Sequence, residues 1–195
     1  MNGPVIPRAT YRLQLGAGFT LADAAAVVPY LDRLGVSHCY TSPYLKARSG
    51  SSHGYDIVDH RSIDPEVGGP DGLEGFVAEL RRHGMGHVMD LVSNHMGVGG
   101  DDNQWWLDVL EHGRSSAFAR HFDIDWEPLK EALRGKVLCP FLGEHYGTAL
   151  EQGLLRLHFE PAEGTLAVRY YGHRFPLAPE TYPEVLEHDR ERLAE

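Results

Sequence analysis

Between Ala9 and Val92 the apolar pattern switches back and forth between the two-residue period of a strand and the 3.6-residue period of a helix. That alternation restricts the chain to folds built from strand-helix-strand units around a parallel sheet. Ala9-Thr10-Tyr11-Arg12-Leu13-Gln14-Leu15 alternates apolar with polar residues, as a strand does. Thr20, with Asp23 three positions on, has the form of a capping box, and Leu21, Ala24, Ala25, Val28 and Leu31 then share one helical face up to Gly35. Pro29 is expected to kink this helix. Val36 to Thr41 reads as a second strand, and Leu73, Phe76, Val77 and Leu80 as the apolar face of a second helix that Gly84 ends. Gly86 to Val92 is mostly apolar, the composition of a strand buried on both faces of a parallel sheet.

Units of this size repeated eight times make a closed (β/α)8 barrel of about 250 residues. This chain has 195 residues and offers only three such strands before its pattern changes. The expectation is therefore an α/β protein in which residues 1–96 are the first three strands of a (β/α)8 TIM barrel, incomplete in this chain. Residues 97–195 read as an α+β subdomain inserted after the third strand. They hold a Gly-rich acidic loop, a helix around Trp105-Trp106-Leu107 and a hairpin of Leu154–Glu160 with Thr165–Tyr171 about Pro161-Ala162-Glu163-Gly164. From Pro183 to Glu195 the composition is helical without a C-cap signal, as if the chain stopped within an element.

The formal charge of −10, with no run of Lys or Arg to track a phosphate backbone, argues against nucleic acid and anionic membrane as partners. The N-terminus lacks the basic and apolar regions of a secretory signal, and no apolar run approaches the ~20 residues of a bilayer span, so the expected location is cytoplasmic. Cys39 and Cys139, both in apolar surroundings, are expected as buried free thiols.

A barrel keeps its active site at the C-terminal ends of its strands. After strand two, Thr41 to Gly69 shows no clear periodicity, far beyond the ~2 to 6 residues usual for such a connection. It contains Ser51-Ser52-His53-Gly54-Tyr55-Asp56-Ile57-Val58-Asp59-His60. Strand three runs into Asp90-Leu91-Val92-Ser93-Asn94-His95-Met96-Gly97. An apolar strand ending in a carboxylate, an amide and an imidazole gathers on one rim the groups that bind hydroxyls.

Asp90-x-Val92-x-Asn94-His95 resembles the first signature region of the α-amylase superfamily (glycoside hydrolase family 13), and His53-Gly54-Tyr55 resembles the loop motif that precedes it there. Pro7-Arg8-Ala9-Thr10-Tyr11-Arg12-Leu13-Gln14-Leu15, Pro29-Tyr30-Leu31, Leu34-Gly35-Val36-Ser37-His38 and Ser42-Pro43-Tyr44 are similar to the opening of the maltooligosyltrehalose synthases, the glucan glucosylmutase family within it. The resemblance implies that His53, Tyr55 and His95 bind the glucosyl unit at the cleavage subsite, with Tyr55 stacking on the sugar. It implies that Asp90 and Asn94 shape the site. Asp56, in the same loop motif, is grouped with them, although it also reads as a solvated loop acid. In some amylases the asparagine helps hold calcium, so a structural calcium stays open; no other cofactor is implied. The implied substrate is a maltooligosaccharide or other α-1,4-glucan. The implied reaction converts its reducing-end α-1,4 linkage to the α,α-1,1 linkage of trehalose, with nucleophile and acid beyond Glu195.

Plainer readings stand beside these. His38 and His87 fall within strands and read as structural, and a zinc pair of His83 with His87 is broken by Gly84 and Gly86. Trp105 and Trp106 read as packing. Two other functions remain open: a glucan hydrolase of the same superfamily, and a non-catalytic glucan-binding module. If the site is real, Tyr55 shows its ring face and His95 a ring nitrogen to one open cleft.

Overall fold

The computed structural model describes residues 6–188. The chain forms two compact units divided between Val98 and Gly99. In the first unit β1 (Thr10–Leu13), β2 (His38–Thr41) and the strand Gly86–Met89 form a parallel sheet in that spatial order. Each strand is shorter than its apolar pattern. At the ends of the β1–β2 ladder side chains add to the backbone bonds: Ser42 Oγ takes the Leu15 N–H at 2.8 Å, and Ser37 Oγ takes the N–H groups of Arg8 and Ala9 at 2.9 and 3.2 Å.

Helix α1 (Leu21–Arg33) starts at the expected capping box, with Asp23 Oδ2 accepting the Thr20 N–H at 2.8 Å, and continues through Pro29. Its buried face of Leu21, Ala24, Val28 and Leu31 packs with Leu13, Cys39, Phe76 and Leu80 in one core. Removing these side chains from water is what joins helices to sheet, at roughly 1.5–3 kcal/mol for each fully buried large one.

The segment after β2 differs from the sequence expectation. It holds an antiparallel pair, β3 (Leu45–Ala47) and β4 (Ile57–Ile63), then a turn of 3-10 helix at Pro65–Val67 leading into α2 (Gly69–Arg82). Buried Asp64 ties these together: its carboxylate accepts the Ala47 N–H at 3.1 Å and the Glu66 N–H at 2.9 Å, satisfying a charge that would otherwise be costly to bury. The strand Gly86–Met89, β5, is also corrected. It lies at the edge of the described sheet and is only partly covered, Val88 being 37% exposed, because burial on both faces needs a neighbour and a covering layer on each side.

In the second unit α3 (Gln104–His112) begins at Asn103, whose Oδ1 accepts the Trp106 N–H at 3.0 Å. Single 3-10 turns follow, then α4 (Tyr146–Glu151), an antiparallel sheet β6–β7–β8 (Arg156–Glu160, Thr165–Tyr170, His173–Pro176) and α5 (Tyr182–His188). The hairpin β6–β7 is the expected one, but it ends at Tyr170 because Tyr171 turns to a φ of 49° and sends the chain back as a third strand. The expected helix from Pro183 is present to His188, and its remainder lies outside the described residues. Trp105 stacks on Phe118 at 5.0 Å between centroids and Trp106 meets Phe122 at 5.1 Å, the packing role expected of them.

Candidate active-site rim

In a parallel sheet, residues paired across strands share a face. Tyr11, Cys39 and His87 are in register, as are Arg12, Tyr40 and Val88 one position on. The first row lies on the helix side, where Cys39 is fully buried and the His87 ring meets Phe76 of α2 at 5.3 Å. The second row lies on the opposite side. Asp90, two residues beyond Val88, continues that row past the end of β5, where its N–H still reaches the Thr41 carbonyl at 3.1 Å.

Tyr55 comes to this row from the loop between β3 and β4. Its hydroxyl donates to Asp90 Oδ2 at 2.5 Å and accepts from Arg12 Nη2 at 2.8 Å. Asp90 Oδ2 also accepts from the Tyr40 hydroxyl at 3.1 Å and from Arg12 Nη1 at 3.3 Å, while the Arg12 guanidinium lies 4.6 Å over the Tyr40 ring. The phenol hydrogen bond from Tyr55 holds the Asp90 carboxyl below the usual carboxylate range; partial desolvation opposes this and Tyr40 and Arg12 add to it. The same bond pushes the Tyr55 phenol up, since ionising it beside a carboxylate would place two negative charges together. At neutral pH Asp90 is therefore an anion and Tyr55 a neutral donor.

His95 joins from the other direction: its Nε2 lies 3.0 Å from the Tyr55 carbonyl oxygen and its Nδ1 3.1 Å from the Asn94 side-chain amide. The Tyr55 carbonyl and Asn94 Oδ1 both only accept, so the neutral ring can donate to one of them and not to both. Each ring nitrogen of exposed His95, expected to face an open cleft, thus lies beside an oxygen of its own rim, the Tyr55 carbonyl or the Asn94 side chain. His53 is exposed; its Nδ1 accepts the Tyr55 N–H at 3.0 Å, and its ring lies 6.1 Å from that of Tyr55. Asp56 accepts the Ser51 hydroxyl at 2.5 Å and stands 3.9 Å from His53 Nδ1, so it braces the loop.

The structure thus brings His53, Tyr55, Asp56, Asp90, Asn94 and His95 together, and adds Arg12 and Tyr40, which sequence reasoning passed over. Their signal was present: Arg12 belongs to the polar half of the β1 alternation, which points away from the helices toward the side that Asp90 occupies. No three His, Cys, Asp or Glu side chains gather as metal ligands among the described residues, and the Asn94 oxygen is turned to His95. No helix among the described residues is long and apolar enough to cross a membrane. His87 bonds Thr41 Oγ1 at 3.0 Å and burial lowers its pKa, while His83 lies 2.8 Å from Asp32 and 3.2 Å from Glu79, so both have structural partners.

The α-amylase catalytic-domain family model matches residues 20–146. A protein of Mycobacterium tuberculosis named as a maltooligosyl trehalose synthase is 49% identical over 166 residues, covering 80% of this chain and 21% of that protein. The solved maltooligosyltrehalose synthase of Arthrobacter ramosus is 45% identical, with a TM-score of 0.78 over 90% of this chain and 22% of its own. A solved glycosyltrehalose synthase, DSM5389, is 36% identical with a TM-score of 0.80, over 93% of this chain and 23% of that one. The chain spans about a fifth of the length of these relatives. The three parallel strands are of TIM-barrel type.

Proposed function

Because this chain belongs to the α-amylase catalytic-domain family, we propose that its rim is one wall of a glucan site in a barrel whose other strands lie outside these residues. The second unit is then a subdomain inserted after the third strand. The whole protein, in this reading, is a cytoplasmic intramolecular transglycosylase that turns the reducing-end α-1,4 bond of a maltooligosaccharide into an α,α-1,1 bond. The observation that carries it is the Tyr55–Asp90–His95 cluster at the C-terminal end of β5, within a chain 45–49% identical to proteins named for that product.

Retention at the anomeric carbon needs two carboxyl groups about 5–5.5 Å apart, one forming the glycosyl ester and one protonating the leaving oxygen. Asp90 fills neither role. One of its oxygens is held by three donors, which lowers its nucleophilicity, and its depressed pKa unfits it as an acid. The family resemblance puts the nucleophile and acid on other strands, so the 195-residue chain alone is expected to cleave no glucan. The rim's part is to hold the sugar. Tyr55 gives a ring for its apolar face, His53 and His95 give nitrogens for its hydroxyls, and Asn94 sets the His95 ring. In the mutase the freed glucose must turn so that its own anomeric oxygen attacks the anomeric carbon of the glycosyl ester, releasing the enzyme carboxylate, before water does, so the walls must also exclude water.

Titrating the isotope-labelled protein, with its remaining strands, with maltoheptaose should move the Tyr55 and His95 signals in NMR, while maltopentaose incubated with the 195-residue chain alone keeps its reducing end. Signals that stay fixed at saturating sugar would refute the glucan-wall reading. The protein with its remaining strands should remove reducing ends without releasing free sugar; growth of reducing sugar would instead identify a hydrolase.

A further inference from the structure

We infer that Arg12, backed by Tyr40, is a positioning residue of the glucan site: it fixes the Tyr55 ring and one oxygen of Asp90. The inference rests on the glucan-wall reading of the same rim.

The geometry assigns the work atom by atom. A guanidinium is a planar fork, and here its two ends do different things: Nη2 donates to the Tyr55 hydroxyl at 2.8 Å and Nη1 to Asp90 Oδ2 at 3.3 Å. The Tyr55 hydroxyl uses its single proton on Asp90 at 2.5 Å, so it needs a donor on its lone pair, and Arg12 is that donor. The phenol is thus held from two directions. Tyr40 closes the arrangement by donating to the same carboxylate oxygen at 3.1 Å and lying 4.6 Å beneath the guanidinium, which restricts the plane of the fork. Register explains why these residues meet: Arg12 sits opposite Tyr40 on adjacent parallel strands, and Asp90 continues their row beyond β5.

Asp90 is divided by this clamp. All three described bonds go to Oδ2, and among the described residues none goes to Oδ1. The side chain keeps 21% of its surface accessible, and the carboxylate keeps its charge at neutral pH. The Asp90 carboxylate is then an anion of fixed direction beside a ring of fixed plane. An α-glucosyl unit presents an apolar face for such a ring and equatorial hydroxyls around its edge for such an anion. Fixing both groups before the sugar arrives removes their ordering from the cost of binding. A Lys at position 12 would supply the charge without the fork and could serve only one of the two acceptors at a time.

The test uses the protein with its remaining strands and isotope-labelled tyrosine, the Tyr55 signal being assigned by its loss in Tyr55→Phe. Arg12→Ala and Arg12→Lys should both shift the Tyr55 signal in the sugar-free protein and speed its ring flipping, with the melting temperature little changed. Both should weaken maltoheptaose binding by about tenfold, the scale of one lost charge-assisted hydrogen bond. Tyr40→Phe should give a smaller loss of the same kind. If Arg12→Ala leaves the Tyr55 signal where it was, there is no clamp and the inference is overturned. If the signal moves but affinity is unchanged in all three variants, the clamp holds the fold and not the site, which overturns it equally. Wild-type protein that does not respond to maltoheptaose sinks the glucan-wall reading and this inference with it. Normal wild-type binding with unaffected variants sinks the inference alone.

Discussion

Gly54 and Gly50 lie in the same loop, and both take left-handed backbone, φ 75° and 73°, so an alanine at either is strained by about 1–2 kcal/mol. They differ in what a β-carbon would meet. At Gly50 nothing lies within 4 Å; at Gly54 the new atom would sit 2.9 Å from the Pro43 carbonyl oxygen and 3.6 Å from its carbon. Pro43 is fully buried, so the backbone cannot step aside without moving its own packing. Overpacking of that kind adds about 1–3 kcal/mol. Gly50→Ala should therefore lower stability by the strain alone, and Gly54→Ala by about 2–5 kcal/mol in total. The difference between them is roughly one to two powers of ten in the folded population. The assay must see the first unit. The three tryptophans, Trp105, Trp106 and Trp126, all lie beyond Val98, so their fluorescence reports the wrong unit. Denaturant unfolding followed by hydrogen exchange of the peptides around β2 to β4 is suited to the purpose. Gly54→Ala should also loosen the Tyr55 contact to Asp90, because Tyr55 follows directly in the chain. Equal destabilisation by the two alanines would refute the close approach to Pro43 as the reason for glycine at position 54.

Burial pushes the pKa of the Cys39 thiol up to about 11 and raises that of Cys139; both are free as expected, but Cys139 is only half-buried. A thiol-disulfide reagent at mildly alkaline pH should therefore label Cys139 slowly and Cys39 only after denaturant is added; equal native rates would contradict this packing. Burial holds the pKa of His87 below its usual value of about 6.5, so the unfolded chain takes up that proton at higher pH than the folded one, and stability falls as pH drops below about 6.5 until folded His87 also protonates. His87→Gln, which keeps an amide for Thr41, should show a smaller drop in Tm than the wild-type chain between about pH 7.5 and 5.5, and an identical drop would exclude His87 as the source.

What could be read from the sequence followed from periodicity and local hydrogen bonding. The alternation of Ala9 to Leu15, the capping box of Thr20 with Asp23 and the spacing of Phe76 and Leu80 are decided within one element, and each appears in the fold. The pair β3–β4 escaped because Ile57-Val58-Asp59-His60-Arg61-Ser62-Ile63 does not alternate, and its three-residue partner meets it with two shifts of register. Strand β8 escaped because it has only four residues and ends in Pro176. The ring nitrogens of His95 were illegible for another reason, since where an exposed imidazole turns depends on a carbonyl 40 residues away in sequence. Arg12 is the instructive case. Read alone, the polar half of an alternating strand means a face turned to water. In a parallel sheet with both helices packed on one side, the polar half points to the opposite side, and in a barrel that side is the interior and the rim. Thr10, Arg12 and Gln14 should accordingly be weighed as site residues as soon as an Asp ends a neighbouring strand. The contacts agree: Arg12 reaches Tyr55 and Asp90, and Gln14 Nε2 donates to the His53 carbonyl at 3.3 Å, so two of the three polar positions of β1 and its continuation hold the loop that carries the candidate platform.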